Sequence, residues 1–269
     1  MSEEQTSFRN QWVVYLDLLG ISAKVQDEQN RNAVLSSYLK FVAELPSKFL
    51  AGKDTNEKTR LQINDLVRKG VRMFSDSIFY YFTPPRDPQP AERDWMLFQH
   101  GVLAPVQGIL SWAWNNGFAV RGSIGYGTSC ISDDMNVILG PAILKVVQWE
   151  QMQNWPWVSI EPGSVELVNK LVNWDAPRHL VPYDVPTKVG AIKTHVLSLD
   201  TFHTPVITGF FVEQWRQAYK NASAHDIHMW HNLLYFFGQC RYNFPQLTQT
   251  EKWILSATPP YGQTTAYFE

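Results

Sequence analysis

The run WVVYLDLL, Trp12 to Leu19, constrains this chain more than any other stretch. Apolar residues that continue for about the length of one strand read as a strand buried on both faces. Yet the run carries one carboxylate, Asp17. Removing an unpaired carboxylate from water costs several kcal/mol, so Asp17 needs a neutralising partner. Two kinds qualify: a basic side chain or a bound metal ion. Gly20 closes the run and passes the chain into a helix-like stretch.

The rest of the chain supplies the elements around that strand. AVLSSYLKFVAELPSKFL places Ala33, Leu35, Tyr38, Leu39, Phe41 and Val42 near one helical stripe. VRMFSDSIFYYFT reads as a hairpin with Ser75, Asp76 and Ser77 at its turn. The prolines of PPRDPQPAERD exclude regular structure there. WMLFQHGVLAPVQGILSWAWNNG predicts a helix ending at Gly117, and FAVRGSIGYGTSC predicts a strand leading into a tight turn at Gly122, Gly125 and Gly127. A strand near MNVILG follows, then a helix opened by Pro141, a strand at PWVSI, a short helix at GSVELVNKLV and a strand at AIKTHVLSL.

This order predicts an α+β fold, a sheet with helices on one face built on a β-α-β-β-α-β unit. In such a sheet the end of the first strand lies beside the hairpin turn, so Asp17 and Asp76 face one point. With no Arg or Lys expected beside them, two carboxylates repel unless a divalent cation sits between them, and hard oxygen ligands suit Mg²⁺ or Mn²⁺. If LLGIS turns from strand to helix, its free N–H groups make an adjoining anion site. Metal plus phosphate implies a nucleoside triphosphate.

Taken in order, YLDLLG, MFSDSI, VRGSIGYG and LGPAILKVVQWE resemble the four landmark segments of class III nucleotidyl cyclases, over roughly Trp12 to Leu199. The wording SDS, RGSI and GPA looks most like the bacterial pyrimidine (uridylate or cytidylate) cyclases of anti-phage defence. The resemblance implies a ferredoxin-like cyclase domain over 1–205, with a helical extension over 206–269. It implies a homodimer with its sites at the interface and two Mn²⁺ or Mg²⁺ ions per site. Asp17 and Asp76 match the metal-binding aspartates, and the Leu18 carbonyl matches a main-chain ligand. The amides of Leu19, Gly20 and Ile21 match the phosphate cradle. Arg121 is the candidate for neutralising phosphate charge through its planar donor fork. The implied reaction converts UTP, or next CTP, to the 3′,5′-cyclic monophosphate and pyrophosphate, a lyase reaction that makes a second messenger.

Departures from the purine enzymes bear on specificity. Arg72 stands where those enzymes carry a base-reading Lys, and Val137 stands where an adenine-reading aspartate is expected. Leu144 and Gln148 occupy the places of the transition-state Asn and Arg, which leaves Arg121 or Lys145 to do that work. A smaller pyrimidine base read by Arg72 or Asn136 fits these changes. The alternatives are an adenylate or guanylate cyclase and an inactive nucleotide-binding sensor.

The remaining features narrow the field. With 269 residues, 45% hydrophobic and 18% charged, the chain has ample material for a core. No run reaches the roughly 20 apolar residues of a membrane span, and the acidic, polar start is unlike a signal peptide, so a cytoplasmic protein is expected. Net charge −2 gives no electrostatic footprint for a nucleic-acid polymer, which argues against a palm-type polymerase. Cys130 and Cys240 lack metal or disulfide spacing and read as buried hydrophobes. His225, His228 and His231 drift around a helix axis rather than forming a ligand row. The tryptophans crowded mid-chain suit a core, with an aromatic interface as the other use.

Overall fold

The computed structural model describes residues 7–21, 28, 31–50, 68–132, 137–171, 179–198, 213, 216, 217, 219, 220 and 227–239. Its elements are β1 (Arg9–Leu19), α1 (Arg31–Leu50), β2 (Arg68–Phe74), β3 (Ser77–Thr83), α2 (Glu92–Phe98), α3 (Ala104–Asn115), β4 (Ala119–Ser132) and β5 (Val137–Leu139). There follow α4 (Pro141–Met152), β6 (Val158–Ile160), α5 (Val165–Leu171), β7 (Leu180–Thr187), β8 (Gly190–Leu197) and α6 (Ile227–Gln239). The strands form one mixed sheet in the order β2-β3-β1-β4-β6-β8-β7, with β5 paired to β4. The first four are antiparallel neighbours and carry the β-α-β-β-α-β order expected of an α+β, ferredoxin-like core.

Alternation along β1 sets the two layers. Trp12, Val14, Leu16 and Leu18 enter the main core, which also takes in Phe41 of α1, Val106 and Leu110 of α3, and Leu233 and Phe236 of α6. Val13 joins a smaller cluster on the opposite face with Ile143 and Val146 of α4, against which Tyr15 packs. Helices therefore cover both faces, where the sequence suggested one. The difference lies in α4, whose buried residues Ala142, Ile143, Val146, Trp149 and Glu150 follow a helical stripe.

β1 is a strand as expected, and so is the hairpin. Phe74 pairs with Ser77, leaving Ser75 and Asp76 as the two-residue turn. On α1 only part of the expected stripe is covered. Phe41 is buried and stacks on Trp112, and Tyr38 and Val42 are half-buried, while Ala33, Leu35 and Leu39 face solvent.

The glycine-rich stretch departs from expectation. Instead of turning, residues 119–132 make one long strand. Its glycines serve close packing: a Cβ on Gly122 would collide with the Leu16 side chain, and one on Gly125 would meet Val146 Cγ1 at 2.7 Å. α4 can lie tight against the sheet for this reason. β7 carries Pro182 and Pro186, which hide it from a strand reading; it is the outermost strand, where a missing N–H costs no ladder bond.

The long helical stretch is interrupted by a π-helical turn, Gln99–Leu103. Pro105 follows it and has no N–H to offer the Gly101 carbonyl four residues earlier. Tyr80 on β3 reaches across and donates its buried hydroxyl to that carbonyl. Burial pushes the Tyr80 phenol well above its usual 10.0, so it stays protonated and a donor.

The mid-chain tryptophans are core: Trp114, Trp155 and Trp157 are fully buried. α6 packs Phe236 against Trp155, Trp157 and Tyr183, and Asn232 donates to the Asn154 carbonyl at 2.9 Å. Cys130 is buried, as expected; Cys240 lies outside the described residues. Among the described residues, no helix is long and apolar enough to cross a membrane.

Replacing Tyr80 with Phe removes the hydroxyl that caps the Gly101 carbonyl. A buried acceptor deprived of its donor costs about 1–3 kcal/mol. Thermal denaturation should therefore show a midpoint lowered by at least about 2 °C.

Candidate active site

Three elements converge at the C-terminal end of β1. Asp17 pairs with Ser77 of β3 on one side and with Arg121 of β4 on the other. Asp76, immediately before Ser77, accepts the Leu18 amide on its backbone carbonyl at 2.9 Å. That bond fastens the hairpin turn to the strand end and sets Asp76 near enough to Asp17 for the two carboxylates to repel.

The turn that presents Asp76 is strained. Ser75 holds φ at +55°, a left-handed conformation that disfavours a side chain. Tyr38 of α1 donates its hydroxyl to the Ser75 carbonyl and so helps to hold the turn. Beyond the aspartates, β1 leaves the sheet through Gly20 at φ +78°, where glycine is at ease. Leu19 and Ile21 flank it; residues 22–27 lie outside the described set, so the proposed strand-to-helix turn is described only as far as Ile21.

One premise of the sequence reading fails. A basic side chain does stand beside Asp17: Arg121 Nη2 lies 3.8 Å from Asp17 Oδ2, and Arg121 Nε donates to Glu150 Oε1 on α4. The guanidinium is thus shared by two carboxylates, Glu150 buried at 2% exposure and Asp17 at 22%. At 3.8 Å the contact with Asp17 is an ion pair without a hydrogen bond, whereas Glu150 holds Nε directly. Arg121 was expected through the resemblance to meet phosphate; here it meets carboxylates.

The electrostatics follow from this crowding. Burial raises the Asp17 carboxyl above its ordinary 3.8; Arg121 opposes the shift and Asp76 adds to it. Burial likewise raises Glu150 above 4.5, against the pull of Arg121, with Asp17 pushing further up. Tyr15, whose hydroxyl shares a 2.9 Å hydrogen bond with Ser77 Oγ, is raised by burial and by the same three carboxylates. The neighbourhood therefore carries an excess of negative charge that one guanidinium only partly offsets.

That excess bears on the metal expectation. The donors are hard carboxylate oxygens at a partly exposed point, chemistry suited to Mg²⁺ or Mn²⁺ and unsuited to soft metals. Asp17 and Asp76 would hold the ion, with water and substrate oxygens completing its shell. Among the described residues no group of three or more His, Cys, Asp or Glu could hold a metal, so the described part of the chain offers two side chains here, Asp17 and Asp76.

Of the other expected residues, Arg72 pairs with Phe79, which pairs with Tyr15, so it stands on the same sheet face as Asp17 at the β2 edge. Val137 starts β5, and Asn136 lies outside the described residues. Leu144, Lys145 and Gln148 project from α4 into solvent, away from Glu150. His231 shares a 2.9 Å hydrogen bond with the Tyr219 hydroxyl, His228 is exposed, and His225 lies outside the described residues. Glu150 and Tyr15 were missed. Glu150 had a signal, a charge on the stripe of Ala142, Val146 and Trp149.

No family model and no curated protein matches this sequence. Solved structures similar in fold include a bacterial light-regulated adenylyl cyclase, 10% identical over 77% of this chain and 99% of that one, at TM-score 0.42. A guanylate cyclase domain from Catenaria anguillulae in complex with GTP is 11% identical over 71% and 98%, at TM-score 0.39. A class III adenylyl cyclase-like ATP-binding protein from Pseudomonas aeruginosa is 12% identical over 64% and 38%, at TM-score 0.38. Likenesses this distant carry no functional weight; function has to be read from the chain's own residues.

Because Asp17 holds its proton more tightly folded than unfolded, its contribution to stability is present at low pH and is lost as pH rises above its ordinary 3.8 through its raised folded value. Asp17→Asn escapes that loss. Denaturant titrations at pH 4.5 and 7 should show the variant gaining stability relative to the wild type as pH rises; a variant that loses ground to the wild type over that interval would contradict the raised carboxyl.

Proposed function

We propose that this chain is a nucleotidyl cyclase that acts on a pyrimidine triphosphate, UTP in preference to CTP. The observation that carries the reading is the placement of Asp76 beside the Asp17 strand end by the Leu18 to Asp76 main-chain bond, on a ferredoxin-like sheet. In the reaction the ribose 3′-oxygen forms a bond to the α-phosphorus and the bond to the β-phosphate oxygen breaks. Pyrophosphate leaves, and the 3′-hydroxyl proton passes to solvent.

The chain's residues bind and orient. Asp17 and Asp76 would hold two divalent ions, with the Leu18 carbonyl as a further ligand. Amides of Leu19, Gly20 and Ile21 donate to the β- and γ-phosphates at the strand end. Ions bound at such a pair supply a lowered pKa for the attacking hydroxyl and charge for the leaving group. Arg121 then offers its terminal N–H groups to phosphate, and Arg72 and Asn136 read the base edge. A homodimer completes each site from a second copy; 1–205 form the catalytic unit and 206–269 the helical extension. The product serves as a second messenger, and the resemblance to anti-phage cyclases suggests that setting.

One feature favours a second reading. Leu144 and Gln148, at the places of the transition-state Asn and Arg, are neither cationic nor turned toward Glu150 and Arg121. A nucleotide-binding domain without turnover accounts for that, though it has no need of two metal ligands.

Purified protein incubated with Mn²⁺ and each ribonucleoside triphosphate should yield a cyclic monophosphate from UTP, less from CTP, resolved by mass. Asp76→Ala should abolish it, a loss of at least about 100-fold if the carboxylate holds metal. Binding of all four nucleotides with no product would move the reading to the sensor. Arg72→Ala should narrow the ratio of UTP to CTP turnover more than it lowers the rate. An equal loss with both nucleotides would remove Arg72 from base reading.

A further inference from the structure

The shared guanidinium raises a question that the cyclase reading leaves open: how Asp17 stays available to a cation with an arginine opposite it in the neighbouring strand. Cross-strand partners of opposite charge stand close enough to pair directly, and an arginine closing on a carboxylate reaches about 2.7–2.9 Å, often through two parallel bonds. Asp17 and Arg121 are direct register partners, yet their closest atoms stay 3.8 Å apart. What holds the fork back is on α4. Glu150, almost wholly buried, takes the Arg121 Nε.

We propose that Glu150 is a positioning residue that keeps Arg121 from neutralising Asp17, and so preserves Asp17 as an anionic ligand for the divalent cation. The proposal rests on the metal-dependent reading above and deepens it.

The geometry gives each group one task. Nε is the only guanidinium nitrogen fixed along the side chain, so a carboxylate that captures it fixes the whole plane. Glu150 captures it from a rigid helix locked to the sheet by the close approach of Val146 to Gly125. Nη2 then faces Asp17 from 3.8 Å, a distance at which attraction persists and no hydrogen bond forms. Asp17 keeps lone pairs for a cation, and the terminal N–H groups remain available to an anion.

The positions also fit a selection for holding rather than for charge alone. A carboxylate meant only to add negative field has no reason to be buried, where desolvation is costly. Glu150 is the more buried of the two carboxylates and has the closer contact with Arg121.

The test is direct Mn²⁺ binding, read from the free-ion paramagnetic resonance signal without nucleotide or turnover, on wild type, Asp17→Asn, Glu150→Gln and Glu150→Asp. Glu150→Asp keeps the charge and draws the carboxylate back by one methylene, so it separates holding from field. Holding predicts that both Glu150 variants weaken Mn²⁺ binding by roughly 10–100-fold, the range for residues behind a metal ligand. Thermal midpoints measured alongside identify variants that fail to fold, and Glu150→Asp is the one expected to fold. Wild-type affinity in folded Glu150→Asp would overturn the proposal and leave the cyclase reading standing. Wild-type binding unaffected by Asp17→Asn would overturn both.

Discussion

The structure turns on one electrostatic constraint: a carboxylate set near the end of an almost wholly apolar strand. Asp17 occupies a position where burial raises its proton affinity and where Asp76 raises it further. A charge there without a counter-charge costs several kcal/mol, and the chain meets that cost with Arg121 from the next strand. Arg121 in turn is half claimed by Glu150 from α4. The result is a compensated but not neutral cluster of carboxylates around one guanidinium.

The fold is arranged to make that cluster possible. The order β2-β3-β1-β4 places β1 between the hairpin and β4, so residues far apart in sequence become cross-strand neighbours of Asp17. Gly122 and Gly125 let β4 take Leu16 on one face and Val146 on the other without collision, and that approach brings Glu150 within reach of Arg121. Strain is accepted at Ser75 to make a two-residue turn, and Tyr38 steadies it. Such strain belongs to sites that must present a side chain in one place.

What could be read in the sequence was local. The apolar run of β1 and its misplaced carboxylate, the SDS turn and the α+β order are all short-range patterns, and each has its counterpart in the structure. The partner of Asp17 was not legible, because strand register decides which residue lies opposite and register is set by tertiary packing. Glu150 is 29 residues from Arg121, and only its place on a buried stripe hinted at a role. The glycines of β4 were read as a turn because glycine permits turning and close packing alike; only the facing side chains show which use applies. β7 was hidden by two prolines that an outermost strand tolerates.

The central claim is that Asp17 and Asp76 hold a divalent cation against a nucleoside triphosphate. A crystal grown with Mn²⁺ and a non-cleavable α,β-methylene UTP, measured for manganese anomalous scattering, tests it most directly. The account predicts an anomalous peak in contact with both carboxylates, with phosphate oxygens adjoining it. A peak elsewhere, or bound nucleotide with no peak and Arg121 closed onto Asp17, would contradict it.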